Sequence, residues 1–471
     1  MGVNRNIVTM TMWRPTMRRG LPRYLAIAEA LGEDVASAQL GPGVQLPTHR
    51  DLADRLGVTV GTVSRGYAEA ARRGLIAGEV GRGTFVRAVA GGEPGVAAES
   101  DATGIVDLSI NHPPPVGGAE TAALQAMLAT LSRRRDLAPL LAYSPDAGSR
   151  AHREAAAEWL DRGGHRVAAD RIVVCNGSQH GLVALLSMLA REGDVVLAEE
   201  LTYPGLKAIA GLLRLRLQGV AIDGEGIVPE ALDEACRTSG ARLLYCVPTI
   251  QNPTASVMSA SRRAELAAII RRHGLTAVED DVHGRLAEGP PPPLAALVPE
   301  STYYVTSTSK TLAPGLRVGF VAAPPGMAER LAATVRVTTW GAAPLTTEVV
   351  AGWIRDGAAE AILGARREEA AARHALARET LAGLGAPTSA GAYHLWMTLP
   401  APWRSATFAA EAHQRGVAVT AAEAFLVGRG EPPAAVRLCL GTPPTRADLL
   451  RGLRAVRQTL ESRPETALAI V

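Results

Sequence analysis

Six short apolar runs between residues 171 and 324 constrain the fold of this chain more than any other feature. They read RIVVCNG (171–177), DVVLAEE (194–200), ARLLYCVP (241–248), LTAVEDDV (275–282), TYYVTSTS (302–309) and LRVGFVAAP (316–324). Each is too short for a buried helix, and helical stretches lie between all but the last two. Apolar runs without polar alternation are strands buried on both faces. Strand and helix in alternation predict an α/β domain around a mainly parallel sheet. Ligands in such folds sit at the carboxyl ends of strands.

The polar residues cluster at those ends. NGSQHGL follows the first run and opens a helix, a start at which backbone N–H groups favour a phosphate. TIQNPT, with Asn252, follows the third run. Glu279, Asp280, Asp281 and His283 follow LTAV in the fourth. Ser307, Ser309 and Lys310 follow YYVT in the fifth, with Arg317 just beyond. Each group alone reads as loop chemistry. A carboxylate, an amide, a Ser-x-Ser-Lys and an arginine on consecutive strands read as one site. Lysine usage sharpens this: of 49 basic side chains only Lys207 and Lys310 are lysines. Arginine stays charged and is not nucleophilic, so a lysine kept in an arginine-rich chain marks a possible need for a primary amine. Lys207, in the helical run GLKAIAGLL, reads instead as a surface charge.

The first 90 residues differ from the rest. They carry twelve arginines against seven acids, net +5, while the remainder is net −2. A basic front ahead of a slightly acidic body fits a small polyanion-binding module. Residues 21–40 read as an amphipathic helix with Leu25, Ile27, Ala28 and Leu31 on one side. Thr48 with Asp51 forms a capping pair for a short helix that ends at Gly57. Thr59 can cap the next helix, which runs to Gly74 with Val60, Val63 and Tyr67 on its core-facing stripe. Gly61, Thr62, Ser64 and Arg65 are left near its exposed start, the part of a recognition helix that meets base edges in the major groove. LIAGEV and GTFVRAV, around Gly81-Arg82-Gly83, predict a two-stranded wing whose Arg82 reaches the minor groove or a phosphate. The expected layout is a winged helix-turn-helix at 15–87, a linker at 88–104 and a large domain at 105–463.

Two resemblances follow from these motifs. LPTHRDLADRLGVTVGTVSRGYAEAARRGLI…GRGTFV resembles the GntR family of winged-helix regulators over about residues 20–87. The resemblance implies a double-stranded DNA operator as partner, with Arg50, Thr59, Thr62, Ser64, Arg65 and Arg82 as contacts. Arg50 and Arg82 would hold phosphates, while Thr62 and Arg65 are placed to read bases. Over most of residues 105–460, the motifs YSPDAGSRAHRE, NGSQHGL, LTYPG, QNPT, EDDVHG and STSKTLAPGLRVGF resemble a fold-type I pyridoxal-phosphate enzyme of the class I aminotransferase group. That implies a mainly parallel sheet with a smaller C-terminal α+β subdomain, and pyridoxal 5'-phosphate as cofactor. Both halves in one chain resemble the MocR subfamily of GntR regulators, as does LSINHPPPV after the linker.

The resemblance also implies roles. Lys310 would attach covalently to the cofactor aldehyde. Asp280 would pair with the pyridine nitrogen, Asn252 would donate to the ring oxygen, and Tyr203 would stack on the ring. Ser178, Gln179, Ser307, Ser309 and Arg317 would hold the phosphate. Tyr143 would reach the phosphate of a neighbouring subunit, which implies a homodimer. Arg437 matches the arginine that grips a substrate carboxylate. His283 departs from the pattern, standing where related enzymes usually have tyrosine. With an ordinary pKa near neutrality it would tune the cofactor linkage.

Three functions compete: a regulator sensing pyridoxal phosphate or an amino-acid adduct of it, a working aminotransferase with an accessory DNA module, and a non-catalytic interaction protein. The recognition helix favours the first. The intact lysine argues against the third, and residual aminotransferase activity is compatible with the first. The four cysteines form no metal spacing, so no metal is expected. No apolar leader or membrane span is evident, so the expected location is the cytoplasm with no membrane partner.

Overall fold

The computed structural model describes residues 13, 15, 21–36, 40, 44–72, 75–79, 83–86, 104–161, 165–384, 391–428 and 430–462. The chain divides into two compact units, residues 1–91 and 92–471.

In the small unit, helices α1 (Arg23–Ala36), α2 (His49–Leu56) and α3 (Val60–Arg72) precede strands β1 (Ile76–Glu79) and β2 (Gly83–Val86). The Thr48 side chain accepts the Asp51 N–H and starts α2, and Gly57 ends it in the left-handed region at φ 60°. The Thr59 hydroxyl accepts the Thr62 N–H at 3.2 Å and starts α3. Helix α3 packs on α1 through Gly66, where a Cβ would come within 3.1 Å of Tyr24 O. Ile27, Leu31, Leu46, Leu52, Val63, Tyr67, Ile76 and Val86 close one core; burying a side chain of this size contributes about 1.5–3 kcal/mol. The expected stripe on α3 needs one correction. Val60 is 43% exposed, and the buried stripe is Val63, Tyr67 and Ala70. Val60 is the first helical residue, ahead of the turn that lies against α1. Strands β1 and β2 pair antiparallel from Ile76↔Val86 to Glu79↔Gly83, with Gln45 bridged to Phe85. Arg82, expected at the wing tip, and residues 88–103 of the expected linker lie outside the described residues.

The large unit is built on a seven-stranded sheet. Its strands are β4 (Ile172–Cys175), β5 (Val195–Glu199), β6 (Arg216–Val220), β9 (Leu243–Cys246), β10 (Thr276–Asp280), β11 (Thr302–Ser307) and β12 (Gly319–Ala322). The order across the sheet is β4-β12-β11-β10-β9-β5-β6. All pairs are parallel except those of β12, which runs antiparallel to β11 and β4. The six apolar runs are six of these strands. The seventh, β6, was not expected: Arg216 and Gln218 break its apolar pattern because an edge strand is half solvated.

Alternation along the strands feeds both faces. Ile172 and Val174 join a core with helices α4 (Ala119–Ser132), α5 (Ala138–Leu141), α6 (Arg150–Leu160), α13 (Pro344–Arg355) and α14 (Ala358–Thr380). Val173 and Cys175 join a core with α7 (Ser178–Leu189), α8 (Pro204–Leu212) and α12 (Ala328–Thr339). Leu244 and Cys246 pack on α9 (Pro229–Ser239), α10 (Ala260–His273) and α11 (Leu294–Leu297), beside the hairpin β7 (Ile222–Asp223)–β8 (Gly226–Ile227). A C-terminal subdomain carries the sheet β13 (His394–Thr398), β16 (Ala435–Cys439) and β15 (Thr420–Ala421), with α15 (Ser405–Gln414) and α16 (Arg446–Glu461). Strand β3 (Val106–Asp107) pairs in parallel with β14 (Val417–Ala418), so the start of the large unit is part of this subdomain.

Arg263 on α10 links core to site. It is fully buried and donates to Met258 O, Pro248 O, Thr249 Oγ1 and Pro292 O. Glu279, also fully buried, lies 3.8 Å from it. These bonds pin the 248–258 loop that presents Asn252. Arg263→Met should therefore lower unfolding stability by about 3–5 kcal/mol, because Glu279 and the loop carbonyls lose their buried partner. Denaturant unfolding of wild type and variant measures this, and a change under 1 kcal/mol would contradict it.

Candidate functional site

Asp280 ends β10, and its Oδ2 accepts from the Tyr245 hydroxyl at 2.8 Å. Tyr245 stands on the adjacent β9, paired in register with Val278. Burial pushes the Asp280 carboxyl up to about 6, against the opposing bond from Tyr245. Its other oxygen, Oδ1, is buried and has no hydrogen-bond partner. Beyond the end of β11, Lys310 directs its amine to the main-chain oxygen of Asn111. The Tyr393 hydroxyl donates to Lys310 O at 2.8 Å and fixes the backbone there.

Asn252 lies in the loop after β9, before a cis Asn252–Pro253 peptide. Its Oδ1 accepts from Arg437 Nη1 at 2.8 Å, which leaves its amide nitrogen as the donor to a ligand. Arg437, on β16, is fully buried. It also donates to Ser109 O at 2.6 Å, and its guanidinium lies 4.9 Å from the Phe425 ring centre.

A second cluster surrounds the start of α7. Gly177 precedes the helix at φ 82°, and no side chain caps its first N–H groups. Gly319 on β12 runs beneath this turn: a Cβ there would stand 2.6 Å from Gly177 C and 2.8 Å from Ser178 N. A Cβ on Gly177 would meet Arg317 Nη2 at 2.8 Å, so the Arg317 guanidinium lies over the turn. Arg317 also reaches Ser309 Oγ at 3.4 Å, and Ser309 N donates to Ser307 Oγ at 3.4 Å. A helix start and a guanidinium converging with hydroxyls form an anion cradle. Tyr203 donates to Gln179 Oε1 at 3.1 Å, which makes Gln179 a strut for the tyrosine as well as part of the turn.

His283 follows Asp280 and is buried. Its pKa is not near neutrality, as the sequence led us to expect. Burial pushes it well below the ordinary value, with His394, Lys310 and Arg437 adding to the effect. Its Nε2 lies 3.4 Å from the side-chain nitrogen of Asn111, which is also 3.2 Å from His394 Nδ1. Asn111, Tyr245, Tyr393 and His394 were missed as site residues. Asn111 sits in the LSINHPPPV phrase, which carried no assigned chemistry. Tyr245 was hidden inside an apolar strand.

Tyr143 is not drawn into these hydrogen bonds. It is 82% exposed, with its ring 5.2 Å from that of Trp340. Lys207 is more engaged than a surface charge, donating to Ala424 O at 2.7 Å. In the small unit, Arg50 and Arg65 are exposed and Thr62 is half-buried. Thr59 is occupied as the α3 cap, with its hydroxyl 2.9 Å from that of Thr62. Ser64 Oγ lies 3.1 Å from His49 Nδ1 and ties α3 to α2. Among the described residues no cluster fits a metal ion, and no helix is long and apolar enough to cross a membrane.

Comparison with known proteins agrees with both halves. Residues 103–456 match the family of class I and II aminotransferases. Residues 23–86 match the gntR family of bacterial regulatory proteins. The HTH-type transcriptional regulator YdeF of Bacillus subtilis is 32% identical over 453 residues, covering 95% of this chain and 97% of that one. The HTH-type pyridoxine biosynthesis transcriptional regulator PdxR of Corynebacterium glutamicum is 28% identical, over 70% of this chain and 73% of its own. Among solved structures, the alpha-aminoadipate aminotransferase LysN of Thermus thermophilus, complexed with N-(5'-phosphopyridoxyl)-L-leucine, superposes with TM-score 0.68 at 26% identity, covering 76% of this chain and 92% of that one. The chain belongs to the GntR-type bacterial regulators whose large domain is a class I and II aminotransferase fold.

Proposed function

We propose that this protein is a transcription regulator that binds operator DNA through α3 and senses pyridoxal phosphate, alone or with an amino acid joined to it. One observation carries the cofactor assignment. The buried Asp280 carboxylate has one oxygen on Tyr245 and the other without a partner, with Lys310 close enough to act on its charge. Such an orphaned acceptor is costly unless a donor arrives, and a protonated pyridine nitrogen is a fitting one. Bound pyridoxal phosphate supplies an electron-accepting ring and an aldehyde that reacts with amines. Lys310 would hold the aldehyde, Asn252 the ring oxygen and Tyr203 the ring face. Ser178, Gln179, Ser307, Ser309 and Arg317 would hold the phosphate, and Arg437 an amino-acid carboxylate. PdxR is a regulator of pyridoxine biosynthesis, which supports a related ligand. A protein that reads an operator works in the cytoplasm, where the chromosome lies.

The test of this reading is the visible spectrum of the purified protein with pyridoxal phosphate, titrated with single amino acids with and without 2-oxoglutarate. We expect a visible band that one amino acid shifts without sustained keto-acid release. Steady turnover at an ordinary enzymatic rate would favour the second reading, a working aminotransferase, which the presence of Lys310, Asp280, Asn252 and Arg437 supports. Absence of any band with added cofactor would overturn the site.

The same proposal includes a homodimer. Leu141, Tyr143, Val337 and Trp340 are 86%, 82%, 83% and 62% exposed. Large apolar side chains left in water favour a covering partner, and Tyr143 would then serve the neighbouring subunit's phosphate. Val337→Glu should shift sedimentation from dimer to monomer at micromolar concentration; an unchanged dimer would exclude this surface.

Two DNA modules per dimer require two half-sites. Arg65→Ala should weaken operator binding by about 1–3 kcal/mol and relax preference at one base position, while Arg50→Ala should weaken all sequences alike and reduce the salt slope by about one. Binding titrations on operator and scrambled DNA at several salt concentrations separate the two. Equal loss on both DNAs for Arg65→Ala would make it a phosphate contact.

A further inference from the structure

We propose that Asn111 and His394 are positioning residues that lock His283 in its Nδ1–H tautomer, so that this imidazole presents a fixed hydrogen-bond donor to the bound ring. The inference rests on the pyridoxal-phosphate reading above for the identity of the ring, and on hydrogen-bond chemistry for the tautomer.

The assignment starts at a carbonyl. His394 Nε2 lies 3.0 Å from Gln251 O. A main-chain oxygen can only accept, so Nε2 carries the proton. Burial pushes the His394 pKa down to about 3, so the ring is neutral and its Nδ1 is an acceptor. That nitrogen lies 3.2 Å from the side-chain nitrogen of Asn111, which must therefore donate. Turning the amide over would set an oxygen lone pair against the Nδ1 lone pair, so the orientation of Asn111 is fixed. The second hydrogen on the same amide nitrogen serves His283 Nε2 at 3.4 Å. His283 is also held neutral by burial, with Lys310 and Arg437 as the charged groups acting on it. A neutral imidazole that accepts at Nε2 carries its hydrogen on Nδ1.

That Nδ1 is buried without a hydrogen-bond partner, as is Asn111 Oδ1. A buried donor left unpaired is costly, and here it stands three residues after Asp280 and beside the chemistry of Lys310. The chain of bonds runs from Gln251 O through His394 and Asn111 to His283 and ends in a donor for a ligand oxygen. A tyrosine hydroxyl rotates and also accepts. This imidazole, held by its far nitrogen, only donates.

The tautomers are read by magic-angle-spinning NMR of the full chain, prepared without cofactor and with 15N-histidine, using His283→Gln and His394→Gln to assign the two residues. We expect His283 protonated at Nδ1 and His394 at Nε2, neither titrating between pH 5.5 and 8.5 (about the range that brackets an unperturbed histidine). His283 protonated at Nε2, or charged in that range, would overturn the proposal. The second measurement is the pH midpoint of the visible absorption of the protein loaded with pyridoxal phosphate, compared with Asn111→Leu. Loss of a fixed donor leaves more negative charge on the ring oxygen, so the conjugated nitrogen keeps its proton to higher pH. The midpoint should rise by about one pH unit, the size of one bond to a charged group. An unmoved midpoint in a folded, cofactor-loaded Asn111→Leu would overturn the link to the ring. If the tautomers are as assigned but no visible band forms in the wild type, the relay is supported and the cofactor reading fails.

Discussion

A sheet covered by helices on both faces leaves only the ends of its strands open to a ligand, and that constraint places Asp280, Asn252, Lys310 and the start of α7. Ile172 and Val174 face one helical layer and Val173 and Cys175 the other, so no side chain within β4 is available for chemistry. The chain emerges at the carboxyl ends, where Asp280 closes β10 and Lys310 lies just past β11. Parallel pairing in register brings Val305 of β11 beside Asp280. The acid and the amine therefore come within electrostatic reach because two strands are neighbours, although thirty residues separate them. Antiparallel β12 then passes close beneath the α7 start, and glycine at 319 removes the Cβ that would hold the two backbones apart.

Within that opening, the energetics are those of charge removed from water. Arg437 has no exposed surface and is held by neutral oxygens, Asn252 Oδ1 and Ser109 O. A buried guanidinium that donates to neutral oxygens gains further from a carboxylate, whose opposite charge adds a Coulomb attraction that a neutral acceptor lacks. Asp280 is in the converse state. With its carboxyl pushed up to about 6 by burial, it regains favourable ionisation when a cation or protonated ring nitrogen comes close. Both groups are thus suited to a ligand of the right charge.

Much of this was legible from sequence because strands in a covered sheet must be continuously apolar and because functional groups follow them directly. Asp280, Asn252 and Lys310 each stand at the end of such a run or shortly after it. Capping rules likewise located α2 and α3 through Thr48, Thr59 and Gly57. What escaped was of two kinds. Tyr245 lies inside an apolar strand, where a hydroxyl does not disturb the pattern and only the three-dimensional neighbour, Asp280, gives it meaning. Asn111 and His394 come from opposite ends of the large unit, 283 positions apart, and no local periodicity joins them. Val60 was misassigned because helical spacing alone does not say where the first turn leaves the core. The His283 pKa was misjudged because burial, which sequence does not display, outweighs the intrinsic value of the ring.

A sensor needs more than a ligand pocket; it needs contacts whose strength differs between ligand states, since a ligand with equal affinity for both shifts nothing. The segment from Val106 to Asn111 supplies candidates for such contacts. It follows the linker directly, it pairs through β3 with β14, and its main-chain oxygens at Ser109 and Asn111 accept from Arg437 and Lys310. These are the two cations that, in the proposed function, an amino-acid carboxylate and a cofactor aldehyde would engage. Each engagement therefore competes with a bond to the segment that leads back toward the DNA-binding unit. A difference of about 1.4 kcal/mol in that competition is tenfold in the equilibrium, which is of the order of a single hydrogen bond to a charged group. In the proposed function the first residues of the large unit are thus both wall of the site and, in sequence, the continuation of the linker, and a bound ligand would exchange bonds with their main chain directly.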